Sequence, residues 1–405
     1  MTDRSAVSRS QAAEEGQKLA TRRLLLVCIP LFWGSLYIYS SYLSVYAESL
    51  NPSLSLVGVI VAAYGFTQLW LRIPIGVATD RLGRRKPFVL AGALFGALSC
   101  AALLIAPQPW VLLLGRGLAG VAAACWVPLT VLLVATYPAD RVVQATSMAT
   151  ALSAAGMTLS SALGGKLAAV TNVQVPFWVG IGLGLLTTAL LALVREPAAP
   201  SRQPTSVGAL LSVGRIRLVL VVSLLAMVNQ YISWAMTHAF VPIYARDLGA
   251  STANLGVLMS VWQGVFAIVS YLAARIAARL GARWTVVAGM VLTTIGTMLL
   301  PATRSLAMLT ALRALHGAGV GLTMPVLMAG AVGSVPPEKR GAAMGFYQSI
   351  YAIGMVAGPA VNGVLADSLG VTATFLVTGG IAVVALAVSA LVLPHRVGQA
   401  PAGRP

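Results

Sequence analysis

Hydrophobic positions along this chain do not alternate; they gather into twelve long blocks. Apolar stretches occupy 24–47, 56–79, 87–106, 110–136, 144–170 and 175–194, then 218–245, 254–278, 284–302, 305–334, 342–366 and 372–393. About 20 apolar residues span roughly 30 Å of hydrocarbon as an α-helix, so the pattern predicts twelve membrane-spanning helices. A longer polar segment, 195–217, contains Pro197, Pro200 and Pro204 and divides the spans six and six. The expected organisation is a mobile tail over 1–22, a six-helix bundle over 23–194, the linker 195–217, a second bundle over 218–394, and a tail over 395–405. The run that starts at Leu24 is too long for a secretory leader and lacks a small-residue cleavage site, so it reads as the first span.

Charge then orients the spans. Of 27 Lys and Arg residues, 21 fall in the segments on the side of the chain termini and three (Lys166, Arg246, Arg304) on the other side. The remaining three, Arg72, Arg116 and Arg313, lie within spans. Short loops rich in Lys and Arg stay in the cytoplasm, which predicts a multi-pass cell-membrane protein with both termini cytoplasmic. The same distribution accounts for the formal net charge of +17: there is no basic stripe with interleaved aromatics, so no nucleic-acid partner is expected. With 58% apolar and 9% charged residues and a mean hydropathy of +0.87, the chain is a lipid-embedded protein, not a set of soluble domains. Cys28, Cys100 and Cys125 all fall in apolar runs without CxxC or metal-ligand spacing. No nucleophile–base pair stands in the spans. No metal, cofactor or enzymatic activity is expected.

The two halves are copies of one another. At an offset of 198, Val45-Tyr46-Ala47 aligns with Ile243-Tyr244-Ala245, Gly58 with Gly256, Arg81-Leu82-Gly83 with Arg279-Leu280-Gly281, Gly156-Met157 with Gly354-Met355, and Gly165 with Gly363. At 197, Arg116, Gly120 and Pro128 align with Arg313, Gly317 and Pro325. A parallel duplication of six helices predicts a path between the halves near the bilayer midplane.

One loop carries the family resemblance. Gly76-Val-Ala-Thr-Asp80-Arg81-Leu-Gly83-Arg84-Arg85-Lys86 joins the second and third spans, and its four cations and carboxylate belong in water. Its G-x-x-x-D-R-x-G-R-R spacing resembles the cytoplasmic loop between helices 2 and 3 of the major facilitator superfamily. The resemblance implies twelve helices in two pseudo-symmetric bundles, a secondary transporter, and gating residues at Gly76, Asp80, Arg81, Gly83, Arg84 and Arg85. It implies that Asp80, held by Arg84, meets the N-terminal end of helix 11. That contact suits an anion at the positive end of a helix dipole. The equivalent position in the second half is Ala278.

Gly115-Arg116-Gly117-Leu118-Ala119-Gly120 is a literal G-x-G-x-x-G, but inside a continuous apolar span its glycines read as helix-packing positions, not a dinucleotide turn. Arg116-x-x-x-Gly120 resembles the helix-4 signature of the superfamily's 12-span drug:proton antiporters, which implies a part for Arg116 in proton coupling. The alternative is an arginine reaching out to the nearer interface. The helix-5 element of those antiporters is reduced here to Gly164-Gly165, whereas the sister helix keeps Gly358-Pro359 and Asn362-Gly363.

Polar residues within spans are costly and mark pathways. Tyr64, Gln68 and Arg72 share one helical face, and Gln230, Trp234 and His238 repeat the spacing. With Gln263, Arg313, Gln348 and Tyr351 they are the expected substrate contacts; interhelical hydrogen bonding is the alternative for each. None of the ten carboxylates, Asp3, Glu14, Glu15, Glu48, Asp80, Asp140, Glu196, Asp247, Glu338 and Asp367, falls mid-span. The cleft is therefore expected to be neutral to positive. Asp80, Glu48, Asp247, His238 and His316 remain as proton carriers. The expected protein is a monomeric, proton-coupled exporter of small amphipathic organic molecules, with neutral, zwitterionic or anionic cargo favoured over permanent cations. The other readings are an importer or facilitator of organic anions or sugars, and a lipid flippase.

Overall fold

The computed structural model describes residues 3–50, 52–105, 108–196 and 207–394, and among them there is no β-strand. Twelve long helices follow in order: α1 (Asp3–Tyr37, continued after a break as Leu43–Ser49), α2 (Leu54–Leu82), α3 (Lys86–Leu104), α4 (Pro109–Val134), α5 (Val142–Val170) and α6 (Val175–Leu193). The second set is α7 (Arg217–Asp247), α8 (Thr252–Leu280), α9 (Ala282–Met298), α10 (Leu306–Gly333), α11 (Arg340–Leu369) and α12 (Val371–Val392). Eleven of these are long and apolar enough to cross a membrane. The other, α5, is 29 residues long but carries Gln144, Thr146, Ser147, Thr150, Ser153, Thr158, Ser160 and Ser161. It tolerates them because much of its surface packs on α1 and α8 and not on lipid.

Two segments differ from expectation. The first helix begins at Asp3, so the stretch expected as a mobile tail is helical from there on; its Ala, Gln, Glu and Lys are good helix formers. The linker contains a short helix, Val207–Gly214, against which Phe346 packs at Gly214. Positions 197–206 and the tail 395–405 lie outside the described residues.

Each half uses the same packing scheme. In the first, α1 packs on α5 and α6, α2 on α4, and α3 on α4 and α6. In the second, α7 packs on α11, α8 on α10, and α9 on α10 and α12. The halves meet through two antiparallel pairs, α2 with α11 and α5 with α8. The outside is apolar: Trp70, Trp110, Trp178 and Tyr271 are exposed and Leu391 is 82% exposed. Continuous apolar surface on this scale suits a lipid environment.

The repeat glycines hold the halves together. A Cβ at Gly58 would strike the Pro359 carbonyl and come within 3.1 Å of Gly363 Cα. A Cβ at Gly256, its counterpart 198 residues on, would come within 2.8 Å of Ser161 O and 3.2 Å of Gly165 Cα. Gly58 against Gly363 and Gly256 against Gly165 are thus one contact made twice by a pseudo-twofold axis. Two further contacts join residues 198 apart. Ser40 Oγ lies 3.4 Å from His238 Nδ1, and Arg246 Nη2 donates to Glu48 Oε1 at 3.0 Å. Such pairs sit on the axis itself.

All these contacts lie toward one end of the bundle, termed distal because α1 starts and α12 finishes at the other, proximal end. There Asp367, near the end of α11, accepts from the backbone N–H groups of Leu54 and Ser55 at 2.8 Å each and from the Ser55 hydroxyl. It thereby satisfies donors that the first turn of α2 leaves open, alongside the N-cap hydroxyl of Ser53, which accepts from Leu56 N at 3.2 Å. The distal end is closed. At the proximal end, Ile73 and Pro74 of α2 are exposed, and a Cβ at Gly76 would meet nothing within 4 Å.

Candidate functional site

The cleft between the halves is built where two helices lose regularity. α1 breaks over 38–42, and α7 forms a π-helical turn over Ala235–Phe240. These are equivalent positions of the two copies. Interrupted helices at equivalent positions mark transporter binding sites, and π turns favour functional sites. The α7 turn carries Thr237 and His238 into the interior, both buried.

Around His238 a chain of rings crosses the interface. Tyr64 of α2 stacks on Trp234 of α7 with centroids 5.1 Å apart, and Trp234 stacks on His238 at 4.3 Å. His238 meets Tyr37 of α1 edge-on at 6.3 Å and Trp262 of α8 at 6.5 Å. Each end of the chain carries a buried arginine. The Arg116 guanidinium sits 4.5 Å from the Tyr64 ring centroid, and that of Arg313 sits 5.8 Å from Trp262. Tyr64 and Trp262 are 198 apart and Arg116 and Arg313 are 197 apart, so the same cation-on-ring unit occurs once per half. Gly120 and Gly317 permit it: a Cβ at either would strike the α2 backbone at Tyr64 or the α8 backbone at Trp262. The glycines of the G-x-G-x-x-G thus act in helix packing.

The units differ in their neighbours. Arg313 Nη1 lies 2.8 Å from His316 Nδ1 and its Nη2 donates to Thr237 Oγ1. Ser233 Oγ is 3.4 Å from His316 Nε2. At Arg116 the Nε is buried without a partner, and the position matching His316 is Ala119. Neither arginine forms an ion pair among the described residues. Arg116 is 2% and Arg313 1% exposed, so neither reaches out to an interface.

The remaining expected contacts divide. Arg72 Nη1 donates to Tyr351 OH at 2.9 Å across α2 and α11. Among the described residues it is the inter-half hydrogen bond nearest the proximal end on that pair; on the other, Ser260 Oγ donates to Thr158 O at 2.9 Å. Gln263 is buried with its Oε1 unpartnered. Gln68 is buried, whereas Gln230 and Gln348 are half-buried; none of the three makes a side-chain hydrogen bond among the described residues. If the Arg72–Tyr351 bond acts only as a tie between halves, Arg72→Ala and Tyr351→Phe will reduce transport of anionic and neutral cargo alike. If Arg72 contacts cargo, Arg72→Ala will raise the KM of anionic cargo several-fold more than that of neutral cargo, and Tyr351→Phe will not. Initial rates across a concentration series distinguish the two.

In the charged loop, Gly83 adopts φ +60° and ends α2, a left-handed turn that favours glycine. Asp80 pairs with Arg85 Nη2 at 3.8 Å, whereas Arg84, the expected partner, is exposed, as is Arg81. The reason lies outside the motif. Glu196 accepts from the backbone N–H of Arg85 (2.5 Å) and Lys86 (3.1 Å). It caps α3 and draws Arg85 inward, leaving Arg84 in solvent. Sequence reasoning also missed Tyr37, Ser40 and Thr237 as cleft residues and Asp367 as a cap. The first three have no polar periodicity to reveal them, because they lie where helical spacing fails.

The family model described as Major Facilitator Superfamily matches residues 25–234 and 223–405. The chain is 21% identical over 340 residues to the uncharacterized MFS-type transporter MJ1560 of Methanocaldococcus jannaschii, covering 81% of this chain and 86% of that one. It is 25% identical over 345 residues to the uncharacterized MFS-type transporter YceJ of Bacillus subtilis, covering 82% and 85%. Among solved structures it resembles a bacterial homologue of the human lysosomal transporter Spinster in an inward-facing, unoccupied conformation. There the TM-score is 0.78 at 15% identity, over 93% of this chain and 96% of that one. It also resembles the nucleoside transporter NupG, with TM-score 0.72 at 16% identity over 92% and 98%. At these identities the structures speak for the fold alone.

Proposed function

Because this chain belongs to the major facilitator superfamily and is a membrane transporter of that kind, we propose that it is a proton-coupled exporter of small amphipathic organic molecules. Neutral, zwitterionic or anionic cargo is favoured over permanent cations. The observation that carries this reading is the charge of the cleft: two buried arginines face its aromatic lining, and no carboxylate lies beside them among the described residues. A permanent cation entering there meets repulsion with no compensating partner, whereas apolar and acceptor-bearing groups find rings and N–H donors.

The distal end is closed; with cytoplasmic termini, as the Lys and Arg bias argues, this is the state shut to the outside, which an exporter and an importer both pass through. Alternating access then requires α2 and α11, and α5 and α8, to part distally and meet proximally. Proton coupling would run through Asp80 at the proximal gate, with His238 and His316 the titratable groups nearest the arginines. An importer or facilitator of organic anions is the second reading, supported by the same absence of a mid-span acid. Purified protein in vesicles with an imposed pH gradient tests both. Gradient-driven accumulation of cargo supports coupled exchange. Counterflow indifferent to the gradient supports the facilitator.

A further inference from the structure

We infer that the cleft is built for a planar aromatic anion, an aryl carboxylate or sulfonate, held by Arg116 and Arg313 as two equivalent anion stations on either side of the His238 ring stack. The inference rests on the transporter reading above and narrows its cargo.

Four observations converge. First, four buried N–H donors are left without partners, Arg72 Nε, Arg116 Nε, Trp33 Nε1 and Trp262 Nε1, two of them on the ring-and-arginine units themselves; the unpartnered acceptor on the α8 side is Gln263 Oε1. Such a surplus of N–H groups leaves acceptors to be supplied by a ligand, because a buried donor without a partner is destabilising. Second, both guanidiniums are buried with no carboxylate beside them among the described residues, a situation that an anion relieves. Third, a narrow crevice with room for about one water lies beside Arg313 in this conformation, with Ser41 and Thr237 as its other polar groups and Leu255, Leu258 and Met259 among its apolar walls. It joins a polar point to apolar walls. Fourth, stacked rings lie between the stations, Tyr64, Trp234 and His238, with Trp262 at the far side. As the halves move, offset stacking of a further planar ring on these faces is favourable, with its anionic substituent shared by the two arginines.

Having two stations gives the site a mechanical use. Arg116 belongs to the first half and Arg313 to the second, so one anion within reach of both neutralises two like charges brought together by closure. The ligand thereby favours the approach of the halves, which cargo must do to promote the switch of access.

The test uses three compounds of nearly equal shape: 2-naphthoate, 2-naphthamide and 2-naphthylmethylammonium. Binding to purified protein is read by quenching of tryptophan fluorescence, and permeation by flux into reconstituted vesicles. We expect naphthoate to bind at least tenfold more tightly than the amide, and the ammonium compound not to bind. Arg313→Gln and Arg116→Gln should each bring naphthoate to the affinity of the amide, and Arg313→Lys should restore part of the preference. Should Arg313→Gln fail to fold, Arg116→Gln carries the test, because Arg116 lacks the bonds to His316 and Thr237 that Arg313 makes. Equal binding of naphthoate and amide, or failure of all three to bind, overturns the aromatic-anion site. If the amide permeates as fast as naphthoate, the site falls while the transporter reading stands. If none of the three permeates, the site falls; if other small amphipathic solutes are carried no faster than by empty vesicles, the transporter reading falls as well.

Discussion

Gly58→Val will hold the distal end open, and Gly76→Val will hold it closed. At Gly58 the first added carbon already meets the Pro359 carbonyl and lies 3.1 Å from Gly363 Cα. The obstacle is backbone from the opposite half, which cannot rotate away. Inserting a side chain into a packed interface costs about 1–3 kcal/mol, a shift of roughly 5- to 150-fold against the distal-closed state. Gly256→Val should act likewise, because its obstacles, Ser161 O and Gly165 Cα, are the equivalent backbone contacts. Gly76 is the converse case. Nothing lies within 4 Å of a Cβ there in this conformation, so the demand for glycine at that place in the gating loop arises when the proximal end shuts. A valine at 76 therefore penalises only the other state. Transport should fall below about a tenth of wild type in all three variants, in keeping with that penalty. Maleimide labelling of a cysteine introduced by Ser40→Cys, a position buried at the inter-half contact in this state, in a background lacking Cys28, Cys100 and Cys125, should rise in Gly58→Val and Gly256→Val and fall in Gly76→Val. Labelling that moves in the same direction in all three would refute the assignment.

Asp367→Ala and Asp80→Asn should move the same equilibrium in opposite directions. The helices α2 and α11 are antiparallel across the interface, so each ends beside the start of the other. Asp367, at the end of α11, already binds the first turn of α2 through two backbone N–H groups and the Ser55 hydroxyl. Asp80, near the end of α2, is the carboxylate that the family resemblance directs to the start of α11, and here it rests 3.8 Å from Arg85. A helix N-terminus attracts an anion, and losing such a cap costs about 1 kcal/mol, or roughly fivefold in the open–closed ratio. Asp367→Ala should raise distal labelling by about that factor, and Asp80→Asn should lower it. The double variant should return toward the wild-type ratio, provided the two caps act on one equilibrium. Slower transport with unchanged labelling in both single variants would sink the reciprocal arrangement.

Much of this was legible from residues alone. Pairing Gly58 with Gly256 and Gly165 with Gly363 by offset identified the four glycines that close the distal end. What the offset left open was that Gly58 packs on Gly363 and Gly256 on Gly165, a crossing that needs the axis relating the halves. The pairing of Arg116 with Arg313 was legible as well, and with it the positive cleft. Their ring partners were less so: Tyr64 was selected for its helical spacing with Gln68 and Arg72, whereas its role comes from contact with Arg116 on α4 and Trp234 on α7. That Arg85, not Arg84, pairs with Asp80 in this conformation was not legible, because Glu196, over 100 residues away, caps α3 beside it.

Local chemistry therefore determined the spans, the duplication and the charged loop. Hydrocarbon admits helices of one length range, charge stays in water, and a copied unit leaves a fixed offset. Tertiary structure alone decided which end is closed, which acid caps which helix, and how the aromatic chain crosses the interface. Those outcomes depend on distances of a few ångströms between segments up to 313 residues apart, such as Leu54 and Asp367. No local pattern encodes them, because either access state is compatible with the same helices and the same hydrophobic blocks. The residues that make the cleft specific sit where α1 breaks and α7 widens, where helical spacing no longer says which way a side chain points.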